Sequence, residues 1–378
     1  MENNHLTYFK IENFKKFESL EVNDIGQFNL IVGDNNVGKT CLLEALLFDE
    51  NNLKWASNLH QTLYLRGINF GPKHYNLKDI EFPKISYFNY VLKDFNKRLK
   101  VTFKTKLKSD SLSIEYQTSK QLKKEDYKKR IDNYDFQNLE HWLKFYRNDD
   151  FNELQFLYRD NLEDSLELYW PFINFNLSYS NDLEDFIRTL EKKRIEDDQK
   201  ISDLSFNHKI ELINILNKIF NIKIVDYSRK SFGDNGMISI ATEENTNYIP
   251  ITQFGDGFNK IFRYIVEIMY VKEIGGDKLM IDEIDTGIHH SKLKDFWVNI
   301  FKVCKELDVQ LFATTHSKEC SEEFVKAAKN LDSNIQSEIR LIELYESKGN
   351  IYSTTIKEVD NIEYSVKNLP FRGENIYV

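Results

Sequence analysis

Eight residues near the start of the chain, Gly33-Asp34-Asn35-Asn36-Val37-Gly38-Lys39-Thr40, constrain the fold more than any other stretch. They follow an almost unbroken apolar run at 28–32 (FNLIV) and precede CLLEALLF, whose apolar residues recur at helical spacing. A strand buried on both faces reads as such a run, and a helix shows its own longer period. Strand, glycine loop, helix is the context in which G-x-x-x-x-G-K-[ST] forms a phosphate cradle. The glycines let successive backbone N–H groups turn inward on phosphate oxygens, and the helix adds the positive end of its dipole. Lys39 then reaches the β- and γ-phosphates of a nucleoside triphosphate, and Thr40 ligates Mg2+. With Gly33, Gly38, Asn35, Asn36, Val37 and Cys41 they make up the expected nucleotide-binding set, with ATP and Mg2+ as cofactors.

Two carboxylates answer this loop from far along the chain. Leu279-Met280-Ile281 is apolar and ends in Asp282-Glu283. A buried strand would deliver Asp282 to the metal and Glu283 to the γ-phosphate, as base or orienter of the attacking water. Next comes Phe312-Ala313-Thr314-Thr315-His316-Ser317, with His316 at the carboxyl end of another strand. Ligands of open α/β sheets bind at that end, so His316 is expected at the γ-phosphate or the water. A fourth segment, Gly255-Asp256-Gly257-Phe258-Asn259-Lys260, opens an amphipathic helix. By itself it is only a helix-start signal.

The chain has 378 residues, 41% of them hydrophobic, enough for one large domain or two lobes. No apolar run approaches the ~20 residues that span a bilayer, and the N-terminus has no secretory pattern. Three cysteines, Cys41, Cys304 and Cys320, lack metal-ligand spacing, so a cytoplasmic protein without membrane contact is expected. A net charge of −9 argues against a dedicated nucleic-acid binder. Two stretches, 93–108 and 123–130, are nonetheless rich in Lys and Arg. They read first as solvated faces and second as a surface for DNA.

The pattern along the chain predicts three parts. Residues 1–118 form an N-terminal ATPase lobe, with strands at 8–11, 19–22 and 28–32 and a hairpin within 98–117. Residues 119–210 read as a charged helical insertion, with Trp142, Phe145, Phe156 and Tyr158 at quasi-helical spacing. Residues 211–378 return to strands interleaved with helices, which implies a largely parallel sheet. Its helix at 258–270 keeps Phe258, Ile261, Phe262, Ile265, Val266 and Met269 on one face. The fold class is α/β, a P-loop head with an antiparallel β lobe.

Phosphate loop, distant Gly-rich helix start, Asp-Glu and then His is the order found in ABC-type ATPases. Within them the wording resembles the OLD (overcoming lysogenization defect) group in its stand-alone form. The stretches that carry this are YFKIENFKKFESLEV, FNLIVGDNNVGKTCLLEAL, IPITQFGDGFNKIFRY, LMIDEIDTGIHHSKLKDFW and VQLFATTHSKEC. The resemblance covers the first fifty residues and roughly 210–330. It implies a homodimer or higher oligomer closed around ATP, in which Gly255, Asp256 and Gly257 of one subunit cap the nucleotide of the other. Gly255 stands where the usual Leu-Ser-Gly-Gly-Gln wording has serine, and Asp256 is expected to bond backbone N–H groups or Lys260. Lys260 is the candidate contact to the phosphate in trans.

OLD nucleases carry a TOPRIM domain after the ATPase. Only residues 317–378 follow His316 here, too few for such a domain. The expected partner is therefore a separately encoded effector, a TOPRIM or other nuclease or a toxin, controlled in anti-phage defence. The alternative is a DNA-binding ATPase resembling RecF, acting in recombination or repair.

Overall fold

The computed structural model describes residues 5–48, 93–94, 97–118, 141–148, 150–156, 172–173, 204–232, 235–273 and 276–368. They divide between two compact units. The first comprises Met1–Ile25, Asn36–Trp170 and Leu344–Thr354, and the second Gly26–Asn35, Pro171–Glu343 and Thr355–Val378.

The first unit is built on an antiparallel sheet of β1 (Leu6–Phe14), β2 (Phe17–Val22), β4 (Leu99–Thr105), β5 (Ser109–Thr118), β6 (His141–Arg147) and β7 (Asp150–Phe156). Their order is β2-β1-β4-β5-β6-β7. Period-two burial explains the pairing, because one face of such a sheet is packed. Phe9 lies opposite Val22 and Phe103, and Ile11 opposite Leu20 and Val101, all buried. Helix α1 (Lys39–Ala45) brings buried Leu42 and Leu43, and Phe48 just after it meets Phe14 edge-on at 5.5 Å. The turn from β1 to β2 places Asn13 and Lys15 at positive φ, 59° and 48°. Asn13 is suited to it, since its short amide tolerates the left-handed region. That amide also donates to the carbonyls of Asp94 and Lys97 and accepts from the Asp94 N–H.

Part of the expected helical insertion is strand. Residues 141–147 and 150–156 are the paired strands β6 and β7, with Trp142 opposite Phe156 and Phe145 opposite Glu153. Aromatics three residues apart fit either period over so short a window, and aromatic-rich sequence favours a pleated sheet. The turn at Asn148, with φ of 49°, closes the hairpin. Tyr158, the basic run 123–130 and the rest of 119–203 apart from 172–173 lie outside the described residues.

In the second unit, β3 (Phe28–Gly33), β8 (Phe172–Ile173), β12 (Lys278–Ile281) and β13 (Gln310–Thr314) run parallel in the order β3-β13-β12-β8. The order of that sheet runs on from β3 to β14 (Ile339–Ser347), of which Ile339–Glu343 belong to this unit. Strands β3 and β13 are buried along their length, which is why they read as apolar runs. Three buried amides fasten their starts. Gln27 donates to the carbonyls of Cys304 and Val309, Asn29 to Leu311, and Gln310 to Gly26.

Helices α2 (Phe206–Phe220), α3 (Asp256–Glu273), α4 (His290–Glu306), α5 (Lys318–Ala328), α6 (Ser333–Gln336) and α7 (Val359–Asn368) complete this unit. All six apolar residues assigned to one face of α3 are buried. Aromatic packing fills the core, with Phe28 on Phe301 at 5.1 Å and Trp297 on Phe324 at 4.9 Å. The strands expected at 222–227 and 237–242 belong to a separate antiparallel sheet, β11-β10-β9, of β9 (Ile224–Phe232), β10 (Asn235–Thr242) and β11 (Ile249–Pro250). The link from β9 to β10 is too short for a parallel crossover.

Candidate nucleotide site

The C-terminal ends of the parallel strands carry the polar residues. Ile281, last of β12, pairs with Ala313, so Asp282 emerges beside Thr314. The Thr314 hydroxyl donates to Asp282 Oδ1 at 2.6 Å and accepts from the Glu283 N–H at 2.8 Å. The Ile284 N–H then donates to the Thr314 carbonyl at 3.0 Å. Three bonds to one residue fix this turn, and Glu283 sits in it at a φ of 49°. A non-glycine residue there stores about 1–3 kcal/mol of strain and persists where its surroundings over-determine it.

The Glu283 carboxylate leaves that turn towards His316, with Oε1 3.7 Å from Nε2, while Oε2 accepts from Thr286 Oγ1 at 3.3 Å. Thr315 repeats the device of its neighbour one step on. Its hydroxyl donates to Asp285 Oδ1 at 2.6 Å and accepts from the Ser317 N–H at 3.0 Å, which orients the His316 backbone. Ser317 in turn caps α5 by accepting from the Cys320 N–H. Asp282, Thr314 and Thr315 are buried, whereas Glu283 and His316 are about one-third exposed, 35% and 27% at the side chain.

The Gly-rich segment stands against the loop that follows the carboxylates. A short 3-10 turn, Ile251–Phe254, ends at Gly255, and α3 starts at Asp256. Asn259 ties the start by donating to the carbonyls of Ile251 and Gly255. A side chain at Gly257 would place its Cβ 3.1 Å from the Gly287 carbonyl oxygen, so the two segments touch. Lys260 extends to the same loop and donates to the Thr286 carbonyl at 2.6 Å. Burial pulls its pKa below that of an ordinary lysine, against the opposing charges of Asp256, Glu283 and Asp285.

The phosphate loop leaves β3 at Gly33, on the same sheet edge as Asp282 and two strands away in the order β3-β13-β12. Asn36 and Gly38 take φ of 66° and 103°. The Gly38 carbonyl accepts from the Leu42 N–H as the first bond of α1, and Lys39 is buried at 5% exposure. Two lysines of the β1–β2 turn hold the segment from outside. Lys16 donates to both the carbonyl and side-chain oxygens of Asn36, and Lys15 forms a buried ion pair with Glu44 of α1. Lys15, Lys16, Asp285, Thr286, Thr314 and Thr315 were not singled out from sequence, where only a turn at 13–16 was visible.

A glycine-lysine phosphate loop following β3, and an Asp-Glu pair at the end of a strand two places away in the same parallel sheet, define a P-loop ATPase. The family model described as "AAA domain, putative AbiEii toxin, Type IV TA system" matches residues 28–319, and the chain belongs to that family. An ATP/GTP phosphatase of Helicobacter pylori is 23% identical over 341 residues, covering 82% of this chain and 85% of that protein. Among solved structures, the SMC head domain from Thermotoga maritima is 12% identical with a TM-score of 0.46, covering 93% of this chain and 99% of that one. The Smc head bound to the C-terminal domain of ScpA, from Pyrococcus furiosus, is 12% identical with a TM-score of 0.45, covering 96% and 98%. Among the described residues no helix is long and apolar enough to cross a membrane.

Proposed function

We propose that this ATPase holds ATP on residues 33–41 and hydrolyses it with Glu283 orienting the attacking water. Lys39 and the loop amides take the β- and γ-phosphates. Thr40 and Asp282 supply hydroxyl and carboxylate oxygens, the hard donors that suit Mg2+. Thr314 supports that assignment by fixing the Asp282 carboxylate through Oδ1. Bound Mg2+ would neutralise charge developing on the phosphates. His316, whose Nε2 lies 3.7 Å from the Glu283 carboxylate, would meet the γ-phosphate or the water, and its imidazole would steady whichever it met. The observation that carries the reading is Glu283 itself, held at positive φ by its neighbours so that its carboxylate faces His316.

The reading extends to assembly and output. Two heads close around ATP, Gly255–Gly257 of one subunit capping the nucleotide of the other, and the closed state controls a separate effector in anti-phage defence, inside the cytoplasm. The likeness to the OLD group supports this, and so does the family description, which names a toxin. The name of the Helicobacter relative, ATP/GTP phosphatase, supports turnover rather than binding alone.

The test is Glu283→Gln in the full chain. It keeps nucleotide binding, slows hydrolysis by about 10²-fold or more, and accumulates an ATP-dependent dimer in light scattering. Turnover at the parental rate removes Glu283 from this role.

A further inference from the structure

We infer that Lys260 is a positioning residue acting within its own chain. Its ammonium anchors the 284–288 loop, and through Thr286 it holds the Glu283 carboxylate in place. The inference rests on the reading of Glu283 given above and departs from the trans phosphate contact expected of Lys260.

The links are short and consecutive. Lys260 Nζ donates to the Thr286 carbonyl at 2.6 Å, and the Thr286 hydroxyl donates to Glu283 Oε2 at 3.3 Å. The lysine stem lies along Gly287, where an added Cβ would be 3.2 Å from Nζ, 3.4 Å from Cε and 3.5 Å from Cδ. Gly287 has a φ of 75°, which favours glycine, and a Cβ there would press on the lysine stem. The Gly257 backbone meets the Gly287 carbonyl one turn before Lys260 on α3. Two contacts therefore join the first turn of α3 to the loop that carries Thr286.

Burial penalises the ammonium, and Asp256, Glu283 and Asp285 offset part of the penalty. A charge held in that way gives up its carbonyl and three favourable charges if it swings to a partner's phosphate. Left in place, it makes α3 and the hydrolytic carboxylate move together. Whatever docks on the Gly-rich start of α3 then shifts Glu283 through Lys260, a route by which assembly sets the hydrolysis rate.

The experiment compares Lys260→Met, Lys260→Arg and Thr286→Val with the parent, all in the full chain. Hydrogen–deuterium exchange of the 284–288 amides without nucleotide reads the anchor directly. Lys260→Met speeds that exchange and lowers kcat about tenfold with KM unchanged, since small misplacements of a reacting group are costly. Lys260→Arg restores both, and Thr286→Val lowers kcat while Lys260 stays in place. Unchanged exchange in Lys260→Met overturns the proposal, and so does a raised KM with kcat preserved. Mixing Lys260→Met with Glu283→Gln separates cis from trans. A trans lysine regenerates one working site per mixed dimer and restores hydrolysis, which overturns the proposal; a cis lysine restores none. If Glu283→Gln alone hydrolyses normally, the reading of Glu283 fails, while the exchange data still decide whether Lys260 holds the loop.

Discussion

Thr314 holds Asp282 across two parallel strands: its hydroxyl donates to Asp282 Oδ1 at 2.6 Å and accepts from the adjoining Glu283 N–H at 2.8 Å. One hydroxyl thus orients one carboxylate and fixes the turn that aims the next. Thr314 is fully buried, so its hydroxyl has no water to turn to instead. Thr314→Val keeps the shape and removes both bonds. It should destabilise the fold by about 1–3 kcal/mol, the cost of leaving a buried polar group unsatisfied, and shift Mg2+ dependence of hydrolysis to higher concentration. Thr314→Ser should keep both properties. A melting curve and a Mg2+ titration of the Val variant matching the parent would refute the coupling.

Lys39 is buried at the first residue of α1. Lys39→Ala removes the charge expected to meet the γ-phosphate. Charge-assisted bonds contribute about 1.5–3 kcal/mol, so ATP affinity should fall by about one to two decades. Calorimetric titration with ATP checks it, and an unaltered Kd would exclude Lys39 from the site.

Gly38 is the point where the loop becomes helix, with a φ of 103°. A methyl there would stand 2.9 Å from the edge of the buried Phe17 ring and 3.1 Å from its next carbon. Gly38→Ala therefore meets backbone strain and a packed ring at once. The strain alone is worth about 1–3 kcal/mol, and relief requires the loop to move. Nucleotide binding should be lost more completely than stability. Retention of full ATP affinity by a folded Gly38→Ala protein would show that the loop geometry is dispensable.

What could be read from sequence was what is local. The phosphate loop is eight consecutive residues, and the buried face of α3 repeats every turn, so Phe258, Ile261 and Phe262 declare themselves. Asp282 and Glu283 stand out because an apolar strand ends on them. Thr314 and Thr315 did not, because β-branched residues are ordinary in strands. Their roles come from pairing β13 with β12, which brings Thr314 to Asp282 from 32 residues away. Lys15 and Lys16 were hidden for the same reason, reaching Glu44 and Asn36 from 29 and 20 residues off. The β6–β7 hairpin was misread because a few aromatics sample too short a window to separate the two periods.

Elsewhere in the second unit, Glu211 of α2 and Glu306 of α4 bring two carboxyl groups together. The pKa of Glu211 is raised, first by burial, then by a hydrogen bond with Glu306 and its charge, with His208 and Lys302 opposing. A carboxyl raised in the folded state binds its proton more tightly there than in the unfolded chain. Its contribution is complete below the unfolded value of about 4.3 and is lost as pH rises through the folded value. Glu211→Gln puts a neutral donor against Glu306 at every pH. The variant should therefore match its parent near pH 4 and melt at a higher temperature near neutrality, the gap opening as pH rises above about 4.3. Other groups titrate over this range, among them Glu273, whose pKa is lowered by the Ser205 N–H. Their effect is common to both proteins, and only the difference between the two melting curves bears on Glu211. Curves that stay parallel from acid to neutral pH would mean that Glu211 and Glu306 do not share a proton in the folded chain.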